Sequence, residues 1–332
     1  MKFNAYKAGL AAWMLFVFSS GILLGWVIKS AWEKDEGRAA EKLEFHEGQF
    51  EFVNPLLECQ DRSGESSREL VPFKTKLEEL AESGMKSRAI SSVSVYFRDL
   101  NNGPWFGINE KELFIPASLL KVPIMMAYLK EAQTDPQLLK KKITYSGENY
   151  QDNDREYIRA AVEAEFGKTY TVEDLLYLMI VYSDNNATLL LSNSGWAITK
   201  KVYDTMGLPL PSLVKDDYAI PVKTYASFFR ILFNASYLNK EMSNMALDML
   251  ASVDFHRGLS AGVPAAIKVA HKFGEREVGD QKQFHDCGIV YYPNHPYLLC
   301  VMTRGADIEK LVPVVEDISR LTYEEVDRQL RH

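Results

Sequence analysis

Strand-like runs stand at both ends of the main body of this chain, and helix-like runs fill the space between them. SSVSVYFRDL and PWFGINEKELF come first, joined through the turn residues Asn101, Asn102 and Gly103. IKVAHKFGE, FHDCGIVYYP and PYLLCVMTR return only after a long stretch in which SLLKVPIMMAYLKEA, TVEDLLYLMIVYS, ATLLLSN, AITKKVYDTM, TYASFFRILFNASY and KEMSNMALDMLA carry apolar residues near the helical period. PFKTKLEELAESG before the strands and ADIEKLVPVVEDISRLTYEEVDRQL after them are amphipathic helices. This order predicts an α/β (α+β) fold: one antiparallel sheet completed by both ends of the domain and flanked by helices, with an all-helical lobe inserted.

The amino terminus has a different pattern. From Ala8 to Ile28 the chain reads AGLAAWMLFVFSSGILLGWVI without a charge, and about 21 residues at about 1.5 Å each span the roughly 30 Å hydrocarbon core of a bilayer. The run exceeds a secretion signal's apolar core and no A-x-A-like cleavage site comes after it, so residues 1–28 are read as a retained membrane anchor, with a cleaved signal peptide as the alternative ahead of a buried core helix. Lys2 and Lys7 precede it, but Lys29, Lys34, Arg38 and Lys42 come after it, so charge alone does not fix its orientation. Residues 29–70 mix a charged stretch, a short apolar patch (FEFVNPLL) and a polar loop and read as a stalk with one segment docked on the domain beyond. That domain comprises residues 71–332.

Composition narrows the partners. Thirty-eight basic against 45 acidic side chains leave a formal charge of −7, which argues against nucleic acid because no basic face is advertised. Three cysteines rule out a disulfide-built scaffold. Cys59 stands alone, Cys287 and Cys300 flank a turn where adjacent strands would bring them close, and buried free thiols are the expected state. His285, Asp286, Cys287, His295 and Cys300 lie near one another without metal-ligand spacing, so no metal site is read there. His271 is expected beside the cleft or on the opposite sheet face.

Three short motifs carry chemistry. Ser118-Leu119-Leu120-Lys121 comes directly after Pro116 and Ala117 at a helix start, where free N–H groups favour a developing anion, and the i,i+3 spacing sets the lysine beside the serine. An amine there serves as base for a weak hydroxyl nucleophile. Pro123 in the same helix is a local oddity. Ser183-Asp184-Asn185 joins two apolar helices; these are also preferred N-cap residues, so capping competes with a catalytic role. Lys272-Phe273-Gly274 lies in an apolar strand, where Lys272 is either a carboxylate-binding cation or a lysine snorkelling from an edge, and Gly274 allows close backbone approach.

Taken together and in this order, PASLLKVP, YSDNNATLLL and K-F-G resemble the S-x-x-K, S-D-N and K-T-G signatures of class A β-lactamases and penicillin-binding proteins. The resemblance extends over residues 71 to 332. It implies Ser118 as the acylated nucleophile, Lys121 as its base or proton carrier, Ser183 as proton relay, Asn185 as substrate-amide contact and Lys272 as carboxylate anchor. The backbone N–H groups of Ser118 and Glu275 would form the oxyanion hole. No cofactor is implied. Two departures stand out: Phe273 replaces the family's Thr or Ser, and MGLPLPSLVKDDYAIP lacks the Glu-x-x-Leu-Asn loop whose glutamate activates the deacylating water. Asp216 or Asp217 is the nearest substitute.

The expected activity is therefore that of a membrane-anchored, single-pass serine hydrolase with its domain outside the cytoplasm, acylated on Ser118 by β-lactams and slow to release product. Two alternatives stay open. One is a D,D-peptidase or penicillin-binding esterase acting on D-alanyl peptides of the cell wall, favoured by the missing glutamate. The other is a non-catalytic domain of the same fold that captures peptidoglycan fragments or partner proteins, favoured by Phe273 and the short loop.

Overall fold

The computed structural model of the chain describes residues 44–46, 51–54, 56–59, 70–86, 90–101, 103–146, 157–211 and 218–331. Two compact units are separated, 1–42 and 43–332. The first, with the apolar run 8–28, lies outside the described residues. Among the described residues no helix is long and apolar enough to cross a membrane.

The second unit begins inside the segment read as a stalk. Strands β1 (Glu44–His46) and β2 (Leu56–Cys59) pair antiparallel. Between them Phe52 and Val53 are buried. The Phe52 N–H donates to Asn244 Oδ1 at 3.1 Å, and the Tyr291 hydroxyl donates to the Phe52 carbonyl at 2.9 Å. Helix α1 (Val71–Lys86) comes next, then β3 (Ser92–Asp99), β4 (Trp105–Ile108) and β5 (Leu113–Phe114). PWFGINEKELF is thus two strands rather than one: the chain turns at Asn109, whose φ of 47° lies in the left-handed region that asparagine tolerates.

A 3₁₀ turn (Ala117–Leu120) leads into α2 (Lys121–Ala132). After it come α3 (Gln137–Lys140), β6 (Lys142–Thr144), β7 (Thr169–Thr171), α4 (Val172–Val181), α5 (Asn185–Met206), β8 (Ile220–Pro221), α6 (Val222–Phe233) and α7 (Lys240–Ala251). A second 3₁₀ turn (Ser260–Gly262) precedes β9 (Val269–Val278), β10 (Gln281–Val290), β11 (Tyr297–Gly305) and α8 (Ile308–Leu330). Pro123 falls in the first turn of α2, where helical N–H groups have no intrahelical partner, so its missing donor is no conflict. ATLLLSN and AITKKVYDTM, expected as separate helices, are one: α5 runs through Gly195, whose absent Cβ would stand 2.4 Å from the Tyr128 hydroxyl. The glycine permits α2 and α5 to approach; it does not end a helix.

Both ends of the domain build the five-stranded antiparallel sheet, in the order β4-β3-β11-β10-β9. Helices α1 and α8 pack on each other and on it, and α6 packs on β3, β10 and β11. Strand alternation then divides the residues of interest. Lys272, Cys287 and Cys300 stand in register across β9, β10 and β11 on one face, whereas Phe273 and Asp286 pair on the other. Cys287 and Cys300 form a disulfide, correcting the free-thiol expectation. Their directly opposed positions, not their sequence spacing, decide this. The side chain of Cys59 lies outside the described set.

Candidate active site

Ser118 owes its position to a strained entry. Ala117 before it has φ 51°, and Ser183 has φ 60°, both unusual for residues with a Cβ and both beside proposed reacting groups. Because Ser118 lies in a 3₁₀ turn, residues i and i+3 eclipse, which brings the Lys121 stem beneath it more directly than an α-helix would. The 3₁₀ turn packs on β9. A Cβ on Gly274 would stand 3.1 Å from Ser118 N and 3.0 Å from the Pro116 carbonyl, so a larger residue would require the turn or the strand to give by a few tenths of an ångström.

The tripeptide Ser183-Asp184-Asn185 divides its work among its members. Asp184 caps α5: its carboxylate accepts from Asn186 N at 2.8 Å and Ala187 N at 3.1 Å, an arrangement worth about 1 kcal/mol. It also accepts from Ala164 N at 2.8 Å. Burial pushes the Asp184 carboxyl above the usual carboxylate range, opposed by those three N–H donors and by the charge of Lys121. Ser183 and Asn185 turn instead toward Lys121, whose Nζ lies 2.5 Å from the Ser183 carbonyl, 3.1 Å from Ser183 Oγ and 2.7 Å from Asn185 Oδ1. Capping and chemistry are therefore not rival readings, because they fall on different residues.

Lys272 completes the hub from the sheet. It is fully buried, so it does not snorkel, although β9 is an edge strand. Its Nζ donates to Ser183 Oγ at 3.0 Å and to the Phe273 carbonyl at 2.9 Å, and stands 4.0 Å from the centre of the Phe273 ring. Ser183 Oγ thus receives a donor from each lysine. A hydroxyl has two acceptor lone pairs and one proton, so with both lone pairs engaged the proton is left to point elsewhere.

Of the sequence-derived residues, Ser118, Lys121, Ser183, Asn185, Lys272 and Gly274 are brought together. Glu275 is next on β9, but its side chain adds something the sequence did not suggest. Its carboxylate accepts from Ile158 N at 2.6 Å, tying the sheet edge to the 157–164 segment, which Asp184 holds at its other end. Asp216 and Asp217 lie outside the described residues. Sequence reasoning also missed Phe255, which stacks on Phe273 with centroids 4.2 Å apart and meets Phe284 at 5.9 Å. No motif marks it; it reaches β9 from a loop.

The histidines have structural partners. His285 Nε2 lies 3.0 Å from the Ile115 carbonyl, and its Nδ1 accepts from Thr303 N at 3.3 Å, which fixes a neutral ring. Burial depresses its pKa to about 4. On the far face from Lys272, His271 bridges Asp286 at 2.9 Å and Ser260 at 3.0 Å, while Asp286 also accepts from Leu259 N at 2.9 Å. This chain of bonds fastens the second 3₁₀ turn to the sheet. Among the described residues no group of three or more His, Cys, Asp or Glu could hold a metal ion. A groove on the helical lobe, lined by Tyr170, Tyr177, Met245 and Asp248 among others, shares no residue with the Ser118 cluster.

A sheet of this order, a serine and lysine on one 3₁₀-to-α junction and a second serine whose Oγ accepts from two lysines are the features of an active-site serine hydrolase of the β-lactamase type. The model of the beta-lactamase enzyme family matches residues 72–326, and the chain belongs to that family. Solved structures show the same fold. PBP-A as an acyl-enzyme complex with penicillin G is 20% identical with a TM-score of 0.64, over 77% of this chain and 97% of that one. A β-lactamase from Chitinophaga pinensis is 19% identical with a TM-score of 0.65, over 77% and 99%. A class A β-lactamase from Mycobacterium abscessus is 21% identical with a TM-score of 0.61, over 76% and 98%. No curated protein matches the chain.

Proposed function

We propose that the protein is a membrane-tethered, extracytoplasmic serine hydrolase that is acylated on Ser118 by β-lactams and related acyl donors and releases the acyl group slowly. The observation that carries this reading is the shared hydrogen bonding of Lys121 and Lys272 to Ser183 Oγ beside the Ser118 turn. Lys121, charged where its Nζ faces three acceptors, first yields a proton to solvent; Ser118 Oγ then attacks the acyl carbon as its own proton passes to the neutral Nζ. The Ser118 and Glu275 N–H groups receive the developing oxyanion. Ser183 then gives its proton to the leaving nitrogen and regains one from Lys121, so the lysine ends neutral. Asn185 Oδ1 holds the Lys121 head, and its side-chain amide would contact a substrate amide.

Slow release is the consequence of the missing Glu-x-x-Leu-Asn motif, because an acyl-enzyme without a base for the attacking water persists. The penicillin acyl-enzyme named for PBP-A supports the first half of this sequence by likeness of fold. The buried Cys287–Cys300 disulfide supports a domain on the oxidising side of the membrane, where such bonds persist, and residues 8–28 supply the tether. Mass spectrometry of the intact chain after incubation with penicillin G is the test. An adduct on Ser118 lasting an hour or more is the expected result. One that vanishes within minutes would show efficient β-lactam hydrolysis by another base, and none with any acyl donor would leave a binding domain without chemistry.

A further inference from the structure

On the sheet face opposite Lys272, three side chains form a hydrogen-bonded line that the Ser118 chemistry does not use. His271 Nδ1 lies 2.9 Å and 3.1 Å from the two oxygens of Asp286, and His271 Nε2 lies 3.0 Å from Ser260 Oγ. With Asp286 as a carboxylate, which only accepts, the proton of a neutral ring sits on Nδ1. Nε2 is then the acceptor that faces the serine hydroxyl.

The line is held along its length. Asp286 Oδ2 also accepts from Leu259 N at 2.9 Å, and Gly258, with φ 61°, brings the loop so near that a Cβ there would collide with that oxygen. From the other side the Ser319 hydroxyl of α8 donates to the Leu259 carbonyl at 2.7 Å. Asp286 and His271 are buried, whereas Ser260 is part-exposed and Ala261 beside it is exposed. The line therefore runs from a buried carboxylate, through an imidazole of fixed tautomer, to a hydroxyl at the surface. Those are the parts, in the order, of a base-activated serine.

We propose that Ser260 is a second nucleophile, independent of Ser118, that takes the acyl group of small activated esters. Ser260 Oγ bonds to the ester carbonyl carbon as its proton passes to His271 Nε2. The bond from that carbon to the leaving oxygen then breaks, and the oxygen takes the proton from Nε2. Asp286 stays ionised and holds the imidazolium between the two transfers. The partial burial of Ser260 favours a small donor.

The test uses the full chain carrying Ser118→Ala, with diisopropyl fluorophosphate as a probe that leaves a stable adduct: Ser260 Oγ bonds to phosphorus and fluoride departs with the serine proton. Intact-mass measurement and peptide mapping should show one adduct, on Ser260, formed about 10²-fold faster in the native chain than in the same chain unfolded in urea, the scale of general-base assistance. His271→Gln should remove most of that advantage, and the comparison of native with unfolded chain decides the matter even if this variant does not fold. p-Nitrophenyl acetate should release p-nitrophenol from the Ser118→Ala chain, and adding Ser260→Ala should abolish that release. Ser260→Ala alone should leave acylation of Ser118 by penicillin G unchanged. Labelling spread over several serines, or no faster at Ser260 in the native chain than in the unfolded one, overturns the proposal and leaves the three residues as a fastening of the turn, whatever Ser118 does.

Discussion

The two faces of strand β9 are built on opposite principles. On one, Lys272 and Lys121 both donate to Ser183 Oγ, and Lys121 also to Asn185, in a buried polar hub beside the Ser118 turn. On the other, Phe273, Phe255 and Phe284 pack as an apolar layer, with the His271–Asp286 pair fastened behind them. A side-chain period of two lets a single strand carry both, and lets one face diverge while the other keeps its pattern. The hub gathers the buried polar groups of the strand; the aromatic face gives it packing. The contrast predicts that substitutions on the first face remove activity and those on the second remove stability.

The largest expected effect is complete and confined to activity. Ser118→Ala should abolish every adduct in intact-mass measurements and leave the thermal midpoint nearly unchanged. A large fall in the midpoint would instead make Ser118 a packing residue and erase the contrast. Next, Lys121→Met should slow acylation by about 10²-fold or more, the usual scale of a lost general base. Loss of less than tenfold would move the base role elsewhere.

On the opposite face, Asp286→Ala leaves His271 and the Leu259 N–H without their buried acceptor and should destabilise the fold by about 3 kcal/mol. Urea denaturation measures it, with the rate of Ser118 acylation expected to persist in the folded fraction. A similar magnitude is expected from pH. The folded His285 has its pKa lowered from 6.5 to about 4, so its burial favours folding fully above pH 6.5 and progressively less as the pH falls toward 4. The loss approaches about 3 kcal/mol at the acid end, and His285→Gln should flatten the curve of unfolding free energy over that window.

The smallest effect tests whether capping and chemistry are separable within one tripeptide. Asp184→Ala should cost about 1 to 2 kcal/mol through the lost cap and should also weaken acylation by freeing the 157–164 segment at the Ala164 N–H. An unchanged acylation rate would show that Asp184 serves only the helix.

Much of this architecture is legible in the amino-acid sequence. The alternation in SSVSVYFRDL and in the three late runs places four of the five sheet strands with their neighbours, because period-two burial is a local signature. The polar residues of the hub stand out because serine, lysine and asparagine between apolar helices need a reason to be there. Gly195, by contrast, falls in the gap between two runs read as separate helices, and the demand it meets comes from Tyr128 on another helix. The cysteines mislead for the same cause, as only strand register sets Cys287 opposite Cys300.

The sequence by itself determined the fold class, the sheet assembled from both ends of the domain and the residues of the hub, because periodicity, turn chemistry and residue type are carried locally along the chain. Only the tertiary structure decided that Lys272 faces Ser183 rather than solvent, that Phe255 backs Phe273 and that the Glu275 carboxylate reaches Ile158. Those contacts join residues separated by anything from 18 to 117 positions, and a contact across such distances exists only once the elements that carry both partners have packed.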